Sequence, residues 1–217
     1  MPTKLISISN PLISGINNAE ELISYCARVS NPSNQLNLET APKLLNYLIK
    51  HKHWSPFEMV SMTLEIQTSR AIAAQILRHR SFSFQEFSQR YSTATEFETV
   101  ELRKQGKTNR QVGDEPISVS EHIEMFDHID KLQHQALSLY NELISQGVAK
   151  ECARMFLPLN TKTTMYMSGT IRSWIHYVDL RSNEDTQKEH RKIALEIKQI
   201  FKNNFPNIFE ALGWNSK

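Results

Sequence analysis

Val60-Ser61-Met62-Thr63-Leu64-Glu65-Ile66-Gln67, followed closely by Ser69 and Ala71-Ile72-Ala73-Ala74-Gln75-Ile76-Leu77-Arg78, is the stretch whose reading decides the fold. In its first half Val60, Met62, Leu64 and Ile66 alternate with Ser61, Thr63, Glu65 and Gln67, the period of a half-buried strand. In its second half Ser69 stands where a helix is capped, and strong helix formers run into Arg78. A strand that feeds a helix directly points to an α+β protein.

Outward from this segment, Leu5-Ile6-Ser7-Ile8 reads as a short strand, and Glu20 to Val29 and Ala41 to His51 carry apolar residues at helical spacing. Trp54-Ser55-Pro56 breaks the second of these helices. The polar stretch from Thr93 to Pro116, with Gly106 and Gly113 among charges, reads as a loop or excursion. Ser118 opens a long helical pattern that ends at Gly147. Val148 to Phe156 suggests a short helix stopped before Pro158, and Thr161 to Ser168, rich in β-branched residues, a second core strand. Helices are expected from Ile171 to Leu180 and from Glu184 to Asn203, ahead of a tail with Phe205-Pro206 and Trp214. The expectation is one domain spanning residues 1–217, with a mixed or antiparallel sheet, a long central helix and further helices.

The 217 residues are 40% hydrophobic with a net charge of +2, enough apolar material for a core and too little charge for whole-surface attraction to nucleic acid or membrane. No stretch approaches the roughly 20 apolar residues of a membrane span. Cys26 and Cys152 stand far apart with no metal-binding spacing, and no secretory segment is evident at Met1-Pro2-Thr3-Lys4, so a reducing cytoplasm is expected.

Projected on a helix, Ile72, Ala73, Ile76 and Leu77 share one arc, and Gln75, Arg78 and His79 lie together opposite, free to face one ligand. Carrying the helix on to Arg80 would swing its guanidinium onto the apolar arc, so either the helix ends there or Arg80 meets a buried anion. The planar arginine fork gives paired hydrogen bonds to phosphate or to the carbonyl edge of a base. The plainer alternative is a solvated helix end whose cations answer the helix dipole. From Ser81 to Arg90, aromatics mix with side chains that both donate and accept, a composition suited to flat, polar-edged ligands.

Arg78-His79-Arg80, seven intervening residues, then Ser88, with Arg90-Tyr91-Ser92 continuing the match, resembles the signature of flavin-dependent thymidylate synthases. Ala27-Arg28-Val29-Ser30, His51-Lys52-His53 before Ser55-Pro56-Phe57-Glu58, Ala153-Arg154 before Leu157-Pro158-Leu159, and Arg172 with Leu180-Arg181 are similar to family segments in the same order. The resemblance implies conversion of dUMP to dTMP, with methylenetetrahydrofolate giving the carbon and NADPH reducing a bound FAD. It implies a homotetramer with active sites between subunits, in which Arg154 and Arg181 act with the Arg78 segment of a neighbouring chain. It would set dUMP against Gln75, Arg78, Glu86, Ser88, Gln89, Arg90, Arg154 and Arg181. FAD would meet Ser30, Ser55, Arg78, His79, Arg80, Glu86, Arg172 and Arg181, with His53 near the folate and the flavin ring. Arg181, His53 and Ser88 are the candidate catalytic residues, Arg181 holding the base edge and Ser88 hydrogen bonding substrate. Arg172 and His176 fall on one helical face, opposite Ile171, Trp174, Ile175 and Val178, where both could line the flavin pocket. His176 and Asp185 depart from residues found in other family members.

Conventional thymidylate synthases use a cysteine nucleophile, but neither cysteine here lies in the signature, and both read as packed core thiols. Ser88 has no evident base to activate it as a nucleophile. His122, His128, His134 and His190 read as surface or satisfied residues, and His51 with His53 lacks further metal ligands at defined spacing. Two other readings compete. An RNA-binding module would use Arg78, Arg80 and Arg90 for phosphates and Phe82, Phe84, Phe87 and Tyr91 for stacking, against which the near-neutral charge argues. A metal-dependent nucleotide phosphohydrolase would need paired carboxylates at metal-ligand spacing, which the sequence does not show.

Overall fold

The computed structural model describes residues 3–93 and 96–216. Met1 and Pro2 of the opening segment, and Ala94 and Thr95 of the expected loop, lie outside the described residues. In chain order the elements are β1 (Thr3–Ile8), α1 (Ala19–Ala27), α2 (Ala41–Lys50), β2 (Ser61–Ser69), α3 (Arg70–Ile76), β3 (Ser83–Glu86), β4 (Arg103–Gln105), β5 (Gly113–Pro116), α4 (Ile123–Ser145), α5 (Lys150–Ala153), β6 (Lys162–Thr170), α6 (Ile171–Arg181), α7 (Lys188–Asn204) and α8 (Pro206–Ala211). Tight helical turns lie at Ser55–Glu58 and Arg154–Phe156.

Among the described residues the main sheet has the order β1-β2-β6-β3, every pairing antiparallel. β2 and β6 run together from Ser61↔Thr170 to Ser69↔Lys162. The alternation dictates the two faces. Met62, Leu64, Ile66, Met165 and Met167 are fully buried under the helices. On the other face Thr63 donates to Ser168 at 2.8 Å and Tyr166 to Glu65 at 2.9 Å. The core joins the inner face to α1, α2, α3, α6, α7 and α8 through residues such as Ile23, Leu45, Ile72, Trp174, Ile197, Phe201 and Ile208.

α3 starts without a side-chain bond from Ser69. Its first amides are taken instead by the carbonyls of Thr161 and Leu159, each at 2.9 Å, so the approach to β6 does the capping. α6 is capped by Thr170, whose hydroxyl accepts from the Ser173 amide.

Four features differ from the sequence reading. Ser83–Glu86 is a fourth strand on β6, where the Ser-Phe-Ser-Phe alternation has the strand period. The stretch expected as a loop contains the β4–β5 hairpin. The long helix α4 is not central: it adds nothing to the main core, Tyr140 is its buried residue, and Ile123 and Leu132 are 67% and 63% exposed. Helical period shows that a face is apolar, not that this chain covers it. α7 also begins at Lys188 rather than Glu184, after a turn in which the Thr186 amide bonds the Asn183 carbonyl.

Gly169 on β6 leaves room for the Phe82 ring, which packs on Trp174 with centroids 4.7 Å apart. A Cβ at Gly169 would stand only 2.4 Å from Cδ1 and 2.7 Å from Cε1 of Phe82. Gly169→Ala should therefore destabilise the chain by about 1–3 kcal/mol, read as a lower urea midpoint at unchanged slope, because Phe82 must leave its rotamer. An unchanged midpoint would show that the ring moves freely.

Candidate active site

The helix does end before the arginine triplet. α3 stops at Ile76, and Leu77 to Arg80 turn toward β3, which leaves Leu77 40% exposed instead of on the apolar arc. This resolves the Arg80 alternative: Arg78 and Arg80 are exposed, and neither side chain has a polar partner among the described residues. The three residues expected on one ligand-facing arc diverge. Gln75 turns inward to Gln187 and His190, Arg78 points outward, and His79 meets Arg181.

The Arg181–His79 contact joins the ends of α3 and α6. Arg181 Nε donates to His79 Nε2 at 2.9 Å. An imidazole that accepts at Nε2 is neutral and carries its proton on Nδ1. Burial first, then Arg181 and His176, lower the His79 pKa to about 4. Tyr177 packs edge-on to the same ring at 4.8 Å. Arg181 was expected to serve the Arg78 segment of a neighbouring chain, and it already meets that segment in its own.

Arg172 and His176 emerge from one exposed face of α6, as the helical projection requires, while Ile171, Trp174, Ile175 and Val178 are buried. Arg172 pairs with Glu58 at 2.5 Å, which ties α6 to the Ser55–Glu58 turn. Trp54, Arg172, His176 and Asp179 line a cleft of about 460 Å³. His53 lies at the edge of an exposed ring cluster, 6.0 Å from Tyr47 and 6.1 Å from His51. Ser30 is exposed beyond the end of α1.

A second group forms around β3 and α5. Glu86 pairs with Arg70 at 2.8 Å and accepts from Thr163 at 3.0 Å. Gln89 is buried, and the Ser88 carbonyl closes a turn by accepting from the Tyr91 and Ser92 amides. Arg90 reaches Glu151 at 3.3 Å. Arg154 has a buried Nε with no partner among the described residues. No hydrogen bond or ion pair among the described residues links Arg90 or Arg154 to the His79–Arg181 pair. Sequence reasoning missed Arg70, Tyr177, Gln187 and Glu189, since none lies beside the motif residue it touches, and gave Glu58 no role; His190, read as a surface or satisfied residue, is buried and satisfied.

The expectation that both cysteines are core thiols is corrected. Cys26 is partly exposed and Cys152 exposed. Burial raises the Cys26 pKa, which disfavours the thiolate a nucleophile needs. Among the described residues no three His, Cys, Asp or Glu side chains gather as a metal site, and no helix is long and apolar enough to cross a membrane.

Unpaired guanidinium groups beside an aromatic-walled cleft suit a phosphorylated ligand with a planar ring, the kind of site found in nucleotide-modifying enzymes. Residues 11–207 match the family model described as thymidylate synthase complementing protein. The chain is 53% identical over 215 residues to the "Probable flavin-dependent thymidylate synthase" of Paramecium bursaria Chlorella virus 1, covering 99% of this chain and 100% of that one. It is 51% identical over 217 residues to the flavin-dependent thymidylate synthase of Synechocystis sp., again covering 99% and 100%. The UMP/dUMP methylase PolB of Streptomyces cacaoi, solved with 5-Br dUMP, superimposes with a TM-score of 0.82 at 25% identity over 97% of this chain and 94% of that one. The chain belongs to the flavin-dependent thymidylate synthases, a family of methyltransferases. The relatives carry the reading drawn from the arginine signature rather than the RNA-binding or phosphohydrolase alternatives.

The His79 assignment has a pH consequence. The unfolded chain takes up its proton near 6.5 and the folded site only near 4, so His79 lends stability that is complete above pH 6.5 and lost as pH falls toward 4. Ring NMR of the unliganded protein should place the His79 midpoint near 4. A midpoint at or above 6.5 would contradict the acceptor role.

Proposed function

We propose that the chain methylates dUMP to dTMP in the cytoplasm, with methylenetetrahydrofolate as carbon donor, NADPH as reductant and FAD as bound cofactor, without a cysteine nucleophile. The Arg181–His79 pair carries this reading. With Nε committed to His79, the terminal nitrogens of Arg181 stay available for the carbonyl edge of uracil. There they hold the negative charge that builds during reduction and favour the ionised pyrimidine, whose distal carbon is the better nucleophile. Arg78, Arg90 and Arg154 orient phosphate and substrate, and Gln75, Glu86, Ser88 and Gln89 complete the dUMP site. The buried, unpartnered Nε of Arg154 supports a role that awaits an acceptor from outside the chain.

The residues present fit FAD. Arg78 and Arg80 are without partners among the described residues, as a diphosphate requires, and the Trp54–His176 cleft suits one flat ring system. Ser30, Ser55, His79, Glu86, Arg172, His176 and Arg181 would complete that site. When bound, FAD supplies the hydride it has taken from NADPH. In this reading His53 would lie near the folate and the flavin ring. That no hydrogen bond or ion pair among the described residues joins Arg90 or Arg154 to Arg181 supports a homotetramer with sites between subunits, and the exposed apolar residues of α4 offer a neighbour a surface.

The purified protein should be yellow or take up FAD, form dTMP from dUMP with the two co-substrates, and run as a tetramer on calibrated light scattering. Cys26→Ala with Cys152→Ala should keep dTMP formation, whereas Arg181→Ala should lower kcat/KM about a hundredfold or more. A colourless protein that cannot be reconstituted, or a folded double-alanine variant that makes no dTMP, would overturn the proposal.

A further inference from the structure

His190 on α7 is fully buried, its ring centroid 6.4 Å from that of His79 in the arginine signature, and both ring nitrogens have polar partners. Nε2 lies 2.9 Å from the Tyr177 hydroxyl and Nδ1 3.3 Å from Gln75 Oε1. Gln75 Nε2 donates to Gln187 Oε1 at 2.7 Å, and Gln187 Nε2 donates to Glu189 at 3.0 Å. Glu189 is held through both oxygens, at 2.8 and 3.0 Å, by Arg103 from β4.

The carboxylate end sets the direction of this chain. An ionised carboxylate only accepts, so Gln187 must offer it the amide nitrogen and turn its carbonyl to Gln75. Gln75 must then offer its own nitrogen, which leaves Oε1 facing His190, and Nδ1 there must carry the proton. Glu189 stays ionised because burial, which would raise its pKa, is outweighed by the hydrogen bonds from Arg103 and Gln187. His190 stays neutral: burial first, then Arg181 and His79, lower its pKa to about 3. Its free Nε2 therefore accepts from the Tyr177 hydroxyl. Each link donates toward Glu189, and no link can reverse alone without setting two donors or two acceptors face to face.

We propose that His190 is a positioning residue for the pyrimidine nucleotide: by donating to Oε1 it holds the Gln75 amide in the one sense that Glu189 sets through Gln187, so that one N–H and one lone pair reach the ligand in a single orientation. The proposal rests on the assignment of Gln75 to the dUMP site. An amide free to flip would offer substrate a donor where an acceptor is needed about as often as not. The anchored chain removes that choice before substrate arrives.

The test uses the full-length, FAD-loaded protein and dUMP as probe. His190→Leu removes the Nδ1 donor, whereas His190→Asn restores an N–H near the same place. The leucine variant should raise the KM for dUMP about tenfold with little change in kcat or in the flavin spectrum, and the asparagine variant should recover much of that loss. Adding His190→Leu to Gln75→Leu should cost nothing further, because the two residues act through one contact. If the two effects multiply, or if the asparagine variant is as poor as leucine, His190 is only a core residue and the proposal is wrong. Should the leucine variant fail to fold, Glu189→Gln removes the directional anchor at a less buried position and should raise the same KM. An unchanged KM there overturns the chain. Should the wild-type protein not turn dUMP over, the functional reading fails, and nitrogen-15 histidine spectra still decide the relay. A proton on Nδ1 of His190 at neutral pH supports it, and one on Nε2, or on both nitrogens, refutes it.

Discussion

The antiparallel pairing of β2 with β6 is the constraint on which the rest depends. The paired strands span nine residues each, about 30 Å, and each runs without a linker into a helix, β2 into α3 and β6 into α6. Because the strands are antiparallel, the helices start from opposite ends of the pair and return over its apolar face. Seven and eleven helical residues cover about 10 and 16 Å, nearly the strand length between them, so their C-terminal ends must meet. Arg181 and His79 are what meet there. The partial negative charge of two helix ends favours a guanidinium at that point, and burial keeps the adjoining imidazole neutral and able to accept. Strand register thus fixes a contact between residues a hundred positions apart.

Around that junction the cations are kept in different states. Arg181 is oriented by an imidazole, Arg172 by Glu58, and Arg70 by Glu86, while Arg78 and Arg80 have no side-chain partner among the described residues. Oriented guanidiniums lose little freedom on meeting a ligand, and free ones retain their full charge for it. Both properties are useful where a base edge must be held in register and a flexible phosphate captured.

β2, β6 and most helices were legible because their periods are local: alternation in Val60 to Gln67, and apolar spacing in Leu44, Leu45, Leu48 and Ile49. β3 was equally legible in Ser81 to Glu86, but those residues also suit a ligand, and that reading displaced the structural one. The position of α4 was not legible, since its sequence specifies an apolar stripe and nothing of what lies against it. The family could be read from Arg78-His79-Arg80 and Ser88 because the spacing itself is the signal. The inward turn of Gln75 could not, because its partners lie 112 and 115 residues away and no local rule brings them close. Likewise the exposure of Cys152 depends on how α5 sits, which composition does not specify.

The β4–β5 hairpin has the look of an expendable insertion: polar, glycine-containing and distant from the signature. Yet Arg103 within it, only 11% exposed, neutralises a carboxylate at the start of α7. Trimming the excursion to ease crystallisation would leave Glu189 unbalanced at the base of the helix beneath the site. A change in the length of that segment would therefore reach the interior through Arg103 and Glu189 without altering a residue proposed to touch the ligand.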